Sequence, residues 1–186
     1  DVPRSLKKEI IISECELSLR RLGVDCIDLY FAHAYDAETP VEESMEAFFR
    51  LKKSGKIREV GASNYTAWRL EEARAAAEFQ GWDGYCCLQQ RHTYLEPSSR
   101  AEFGNQEVLT TEVSDYCSIK GLTLMAYSPL LGGMYNEEDT KLPAWYDSRV
   151  SEQRLTALRS LSRTRACTPN QLVLAWMLHT APPVVP

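Results

Sequence analysis

The sequence predicts an α/β fold in which parallel β-strands alternate with α-helices. Short apolar segments begin near residues 27, 57, 85 and 122, at intervals of 30, 28 and 37 residues. Each interval is long enough for a strand and a helix and contains a segment with helical character. This alternation is typical of a parallel sheet, which either closes into a (β/α)8 barrel or stays open as a doubly wound sheet.

Helix and strand signals alternate through the first half of the chain. Apolar residues at helical spacing predict a first helix, and Gly23 suits the residue that ends it. Pro40 and the two glutamates after it suit the start of a second helix, since a helix N-terminus favours proline and negative charge. The predicted elements of this half are a helix at 5–22, a strand at 26–32, a helix at 41–54, a strand at 57–61 and a helix ending at Phe79, capped by Ser63 or Thr66.

The second half of the chain continues the alternation. Gly121 suits the end of one helix, and Thr168 with Pro169 suits the start of the last one. Its predicted elements are a strand at 85–89, a helix at 105–120, a strand at 122–126, helices at 151–164 and 169–179, and a fifth strand beginning at 182–185, with no regular structure at 132–150.

A barrel needs eight strands and about 250 residues, whereas this chain of 186 residues has five strands at most. A barrel fold would therefore be incomplete, lacking its N-terminal strands and its C-terminal end, in a single domain over residues 1–186. The open sheet fits the length better, but neither a GxGxxG motif nor a P-loop follows the first strand.

Composition excludes several classes of protein. The 21 basic and 26 acidic residues give a net charge of −5, so the sequence lacks the excess of positive charge that is typical of nucleic-acid-binding proteins. No apolar run approaches the roughly 18 residues of a membrane span, and the polar N-terminus is no secretory signal. Six cysteines without a CxxC pair sit in apolar segments, which predicts buried thiols and a reducing, cytoplasmic setting.

Polar residues follow each predicted strand. The first strand ends at His33, the second in Ser63 and Asn64, the third at Gln89 and the fourth at Tyr127. Parallel strands place their carboxyl ends at one edge of a sheet, where α/β proteins bind ligands. We therefore expect these side chains to converge.

The chemistry of this set narrows the ligand. One imidazole without a group of carboxylates or thiolates argues against a metal site. Amide and hydroxyl groups suit a neutral, planar ligand that carries an amide, and Tyr127 offers a ring for stacking. Structural roles stay open for each residue, because Ser63 and Asn64 could cap the next helix and His33 or Gln89 could satisfy nearby backbone.

Several motifs in order resemble the aldo-keto reductase family, almost from end to end of the chain. The first signature is matched by 19–25 (LRRLGVD) with 27–30 (IDLY) and His33. The other matches are 55–58 (GKIR), 61–65 (GASNY), 88–89 (LQ), 126–130 (AYSPL) and 170–176 (NQLVLAW).

This resemblance implies a (β/α)8 barrel that binds NADP(H), or NAD(H), and reduces aldehydes or ketones to alcohols. In the family a Tyr donates a proton to the carbonyl oxygen, a Lys and an Asp tune that Tyr, and a His orients the carbonyl. Of these four residues the chain carries the match to the His alone, at His33. The other three lie on family segments that precede the first helix, and the segment that holds the 2′-phosphate of NADPH follows the last strand.

The resemblance also assigns cofactor roles to matched positions. Ser63, Asn64 and Gln89 would bind the nicotinamide carboxamide, and Tyr127 would stack on the nicotinamide ring. Ser128 and Leu130, with the turn to Gly132, would meet the pyrophosphate through backbone N–H groups. Tyr35, where many members of the family have Trp close to the His, would line the substrate pocket.

Two functions compete on this basis. The first is an NADP(H)-dependent carbonyl reductase, of which these 186 residues alone are not catalytically complete. The second is a non-catalytic module that binds a nicotinamide nucleotide or a partner, since the family includes a subunit of potassium channels. The resemblance implies a small carbonyl compound as the substrate, and neither its identity nor the oligomeric state follows from the sequence.

Overall fold

The computed structural model describes residues 5–137 and 141–186. It confirms the predicted alternation of helices and strands. In chain order the elements are α1 (Lys8–Leu22), β1 (Ile27–Ala32), α2 (Val41–Lys53), β2 (Ile57–Ser63), α3 (Ala67–Phe79), β3 (Cys87–Arg91), α4 (Thr111–Lys120), β4 (Thr123–Tyr127), α5 (Arg149–Thr164), α6 (Pro169–Leu178) and β5 (Val184–Val185).

The five strands belong to one sheet and follow one another in chain order. β1 pairs with β2 in parallel, and β2 pairs with β3 in parallel. β4 also pairs with β5 in parallel, with Leu124 opposite Val184. A parallel sheet whose sequential strands are neighbours and alternate with helices is of the (β/α)8 barrel type rather than the doubly wound type, in which the strand order reverses.

The chain has two compact units, of which the first comprises Asp1–Gln89 and Thr110–Thr123. Its core lies between the strands and the helices. Phe48 of α2 is buried and meets Tyr30 of β1 edge to face at 6.4 Å between ring centroids. Leu88 of β3 and Leu70 of α3 are also buried, so the apolar stretches that predicted these elements supply the core.

Gly61 marks a close approach on the other face of β2. A Cβ atom at this position would lie 2.5 Å from a ring carbon of Phe31 and 2.7 Å from the sulfur of Cys87. No real Cβ tolerates such contacts, so glycine is required where these two side chains fill the space beside β2.

The second unit comprises Gln90–Leu109 and Leu124–Pro186. Val173 and Met177 of α6 are fully buried there, as is Tyr135. Thr168 and Gln171 form a complete capping box at the start of α6, followed by Pro169 at the first helical position. The predicted start of this helix is therefore confirmed.

Two predictions of secondary structure were wrong. The helix predicted at 105–120 begins at Thr111, because Glu107 and Leu109 instead form backbone hydrogen bonds of 2.9 Å with Arg91. The segment predicted to lack regular structure contains 3-10 helices at Leu131–Asn136 and Ala144–Tyr146, whereas its residues 138–140 lie outside the described part. Elsewhere the predicted bounds differ by only a few residues.

All six cysteines have free thiols, and three of them, Cys15, Cys87 and Cys117, are buried. Burial raises the pKa of the Cys117 thiol to about 11, which keeps it protonated at neutral pH. Across the described ranges, no group of three or more His, Cys, Asp or Glu side chains is placed to hold a metal ion. Within the same ranges, no helix combines the length and the apolar character of a membrane span.

Candidate functional site

Asn64 joins the ends of three strands in the first unit. Its side-chain amide donates a hydrogen bond of 2.9 Å to the backbone oxygen of His33, just beyond β1. Its backbone N–H donates to the backbone oxygen of Gln89 in β3 at 3.2 Å. The strand ends that carry His33, Asn64 and Gln89 therefore lie side by side, as the parallel arrangement predicts.

Ser63 and Gln89 are direct neighbours across the parallel pair of β2 and β3. Neighbours in register point to the same face of a sheet, so the Ser63 hydroxyl and the Gln89 amide lie on the face that also carries Gly61. Ser63 is buried and Gln89 is half-buried. The next residue along the chain, Gln90, is buried. Because successive residues of a strand point to opposite faces of the sheet, Gln89 and Gln90 lie on different faces.

Ser63 and Asn64 do not cap α3, which was the structural alternative for this pair. Ser63 is the last residue of β2, and the residue that precedes α3 is Thr66. Asn64 has φ of 59°, in the left-handed region that asparagine adopts more readily than most residues. Residues in this region cluster at binding sites, where the surrounding structure holds them in place.

Arg69 forms a stack beside the site that the sequence did not predict. Its guanidinium carbon lies 3.4 Å from the centroid of the Tyr35 ring and 3.7 Å from that of the Trp68 ring. Its Nη1 donates a hydrogen bond to the Tyr35 hydroxyl, and Glu72 lies 3.5 Å away. Because a stacked guanidinium holds a ring in a fixed orientation, Tyr35 is rigidly placed two residues after His33.

Tyr65 packs against Tyr35. The two rings meet edge to face at 5.7 Å, and the Tyr65 hydroxyl is 3.2 Å from that of Tyr85. Burial raises the pKa of Tyr65 to about 12, so its hydroxyl is neutral over the physiological range. Tyr65 therefore acts as a neutral packing and hydrogen-bonding group.

Asp36 anchors the loop that carries Tyr35. Burial alone would raise the pKa of its carboxyl, but hydrogen bonds outweigh this effect and lower the pKa. Its oxygens accept from the Thr39 hydroxyl at 2.6 Å and from the backbone N–H groups of Leu6 and Glu38 at 2.9 Å each. The ionised form thus fixes the path of the chain after β1.

Tyr127 and the loop after it form the corresponding strand end of the second unit. The Tyr127 side chain is 43% exposed, which leaves its ring available to a ligand. Ser128, Leu131, Gly132 and Gly133 all have positive φ, so the chain turns sharply there. The loop's own hydrogen bonds, from Leu131 N–H to Ser128 O at 3.1 Å and from Gly133 N–H to Leu130 O at 2.9 Å, use N–H groups other than those of Ser128, Leu130 and Gly132.

Asn170 at the start of α6 holds this loop, a role that the sequence did not predict. Its amide donates to Gly133 O at 3.3 Å, and its backbone N–H donates to the Asn136 side-chain oxygen at 3.0 Å. The only signal in the sequence was its place at the start of the last matched motif. The capped end of α6 therefore fixes the conformation of the loop.

Comparison with known proteins identifies the class. The model of the "Aldo/keto reductase family" matches residues 1–186. Aldo-keto reductase yakc [NADP(+)] of Schizosaccharomyces pombe is 30% identical over 92% of this chain and 51% of its own length. Aflatoxin B1 aldehyde reductase member 2 of Homo sapiens is 32% identical over 75% of this chain and 38% of its length. The corresponding mouse protein is 29% identical over 95% of this chain and 52% of its length.

A solved structure assigned provisionally as 2,5-diketo-D-gluconic acid reductase B has the same fold. Its TM-score is 0.71 at 19% identity, and the match covers 96% of this chain and 52% of the other. The chain belongs to the aldo/keto reductase family. It spans about half the length of the yeast and mouse relatives that it matches.

Proposed function

We propose that the protein containing this chain reduces aldehydes or ketones to alcohols with NADP(H). The observation that carries the proposal is the arrangement around Asn64, which brings His33, Ser63 and Gln89 to one edge of the sheet. Membership of the aldo/keto reductase family supports it, and the yeast relative has NADP(+) in its name.

The donor set at this edge suits a nicotinamide carboxamide. That group has an oxygen that accepts hydrogen bonds and a nitrogen that donates them. A hydroxyl and two side-chain amides offer both kinds of partner, so Ser63, Asn64 and Gln89 would hold the carboxamide. When bound, the reduced nucleotide supplies the hydride, and a proton donor beyond the residues matched in this chain completes the alcohol.

The strand end of the second unit, taken by itself, also has groups that suit a nicotinamide nucleotide. The exposed ring of Tyr127 would stack on the nicotinamide. The backbone N–H groups of Ser128, Leu130 and Gly132 are distinct from the two that bridge the loop internally, so they would bind the pyrophosphate. Backbone N–H groups that remain available in a turn with left-handed residues contribute positive partial charge, which attracts anions.

His33 and Tyr35 would meet the substrate. His33 is exposed just beyond β1, and its imidazole would donate a hydrogen bond to the carbonyl oxygen and so orient the carbonyl. Tyr35, held by Arg69, would form one wall of the pocket.

Binding and turnover are tested separately. We expect the intact protein to bind NADPH, measured by quenching of tryptophan fluorescence, and to oxidise it in the presence of 4-nitrobenzaldehyde, followed at 340 nm. Ser63→Ala should weaken NADPH binding about fivefold, the usual effect of one lost hydrogen bond. Ser118→Ala, on the exposed side of α4, is the control and should bind as the wild type does.

The outcomes separate the two candidate functions. Binding of NADPH without turnover by the intact protein would favour the non-catalytic module, and absence of both would exclude the proposal. Residues 1–186 contain no match to the proton-donating tyrosine of the family. The 186-residue chain by itself should therefore show no carbonyl reduction, and substantial turnover by it would overturn that assignment.

A further inference from the structure

Arg91, the last residue of β3, lies between two aromatic rings in the second unit. Its guanidinium carbon is 4.1 Å from the centroid of the Phe103 ring and 6.0 Å from that of the Tyr127 ring. Both distances fall within the range of cation–π contacts. The cation is thereby held at the carboxyl end of a parallel strand, beside the exposed ring of Tyr127.

The segment after β3 fixes Arg91 in this place. Its backbone N–H donates to Glu107 O, and its backbone oxygen accepts from Leu109 N–H, both at 2.9 Å. Its Nη1 donates to the Gln106 side-chain oxygen at 3.3 Å. These contacts position the backbone and one nitrogen of the guanidinium, and the side-chain partner Gln106 is neutral.

Among the described residues, the partners of the Arg91 guanidinium are neutral groups, namely the Gln106 side chain and the Phe103 and Tyr127 rings. None of the ion pairs found in 5–137 and 141–186 includes Arg91, although the side chain is half-buried. Within those ranges its Nε atom is buried and has no hydrogen-bond partner. Arg74, by contrast, lies within 2.6 Å of two glutamates. Because a buried donor without a partner is costly, the Nε–H group and the charge of Arg91 are disposed to bind an anion.

We propose that Arg91 binds an oxyanion of the ligand that lies against Tyr127. The oxyanion is either a carboxylate of the carbonyl substrate or a phosphate of the nucleotide, since both match the planar fork of a guanidinium. The identity of the ligand rests on the proposed function, whereas the inference that Arg91 binds an anion rests on the surroundings of Arg91 alone.

Three variants test the proposal. Arg91→Met removes the charge and keeps an apolar side chain against Phe103. Arg91→Lys keeps the charge but loses the planar set of N–H donors of the guanidinium. Arg100→Met is the matched control, because Arg100 is exposed in the same connecting segment and has no role in the site. A cooperative melting transition in chloride alone shows that a variant is folded.

Anion binding is measured without any turnover. At constant ionic strength, inorganic pyrophosphate or succinate should raise the melting temperature of the wild type and of Arg100→Met. The same anions should leave Arg91→Met unchanged and should have an intermediate effect on Arg91→Lys. Equal shifts in Arg91→Met and the wild type, or no shift in the wild type, would overturn the proposal.

The source of the oxyanion follows from two further measurements on the intact protein. If it is a substrate carboxylate, Arg91→Met should raise KM for 4-carboxybenzaldehyde by about tenfold to a hundredfold and leave KM for 4-nitrobenzaldehyde unchanged. If it is a nucleotide phosphate, the same factor should appear in the Kd of NADPH. A wild type without turnover would contradict the proposed function only, because the melting experiment still decides whether Arg91 binds anions.

Discussion

The side-chain amide of Asn64 donates a hydrogen bond of 2.9 Å to the backbone oxygen of His33. This bond crosses from the end of β2 to the end of β1, so the amide that would bind the nicotinamide also positions the residue that would orient the carbonyl. Substitutions at Asn64 should therefore affect both the local structure and nucleotide binding, and each effect has its own measurement.

Asn64→Gly and Asn64→Ala should differ in stability but not in nucleotide binding. Both remove the amide, so both should weaken NADPH binding, about tenfold if two hydrogen bonds are lost. A left-handed φ at alanine destabilises the folded state by about 1–2 kcal/mol, whereas glycine lowers stability by about 0.5–1 kcal/mol because its unfolded chain has more conformational entropy. Asn64→Ala should therefore be the less stable variant in urea unfolding. Wild-type affinity in Asn64→Gly would show that the amide does not bind the nucleotide.

Two threonines in the first unit form a matched pair for helix capping. The Thr110 hydroxyl accepts a hydrogen bond of 3.3 Å from Val113 N–H at the start of α4. Thr66 occupies the same position before α3, but its hydroxyl oxygen is buried without a partner among the described residues. Thr110→Val should cost about 1 kcal/mol in the free energy of unfolding. Thr66→Val should be neutral or stabilising, and equal losses would contradict the capping assignment.

The order of elements could be predicted because it depends on local patterns. Apolar runs at regular intervals define the strands, and Gly23, Gly121 and the Thr168–Pro169 pair mark helix ends by their own conformational preferences. The start of α4 could not be predicted, because residues before it pair with Arg91 far away in sequence. A hydrogen bond between distant segments does not alter the local pattern of apolar residues from which helices are predicted.

The candidate site was predictable where the residues follow directly from strand ends. The strand ends that carry His33, Asn64 and Gln89 lie side by side, since parallel strands bring their carboxyl ends together. Arg69 and Arg91 were missed because their partners are aromatic rings on other segments. No spacing rule identifies such a contact, and an isolated arginine in a sequence resembles any surface charge.

Glu71 should make the stability of the first unit depend on pH in acid. Hydrogen bonds from Arg74 lower the pKa of its carboxyl to about 2, with further contributions from Tyr116 and Lys120. A depressed folded-state pKa stabilises the protein above the unfolded value near 4.5, and this stabilisation is lost as pH falls towards about 2.

The measurement is the melting temperature between pH 5 and pH 2. It should fall more steeply for the wild type than for Glu71→Gln, which lacks the titrating group. Glu102→Gln, an exposed glutamate outside the ion pairs of the described residues, should follow the wild type. Because Glu71 is 40% exposed, the difference should be small and should shrink in 0.5 M salt. A Glu71→Gln curve that coincides with the wild type would refute this assignment.

His33→Ala should separate catalysis from nucleotide binding in the intact protein. The imidazole would donate to an oxygen that gains negative charge during reduction, and loss of one such donor typically costs about 3–4 kcal/mol, or roughly 10²–10³ in kcat. The Kd of NADPH should be nearly unchanged, because alanine keeps the backbone oxygen that accepts from Asn64. His33→Gln retains an N–H donor and should recover part of the lost rate. Steady-state kinetics with 4-nitrobenzaldehyde and fluorescence titration with NADPH measure the two effects. A variant with weakened binding and unchanged kcat would assign His33 to the nucleotide site instead.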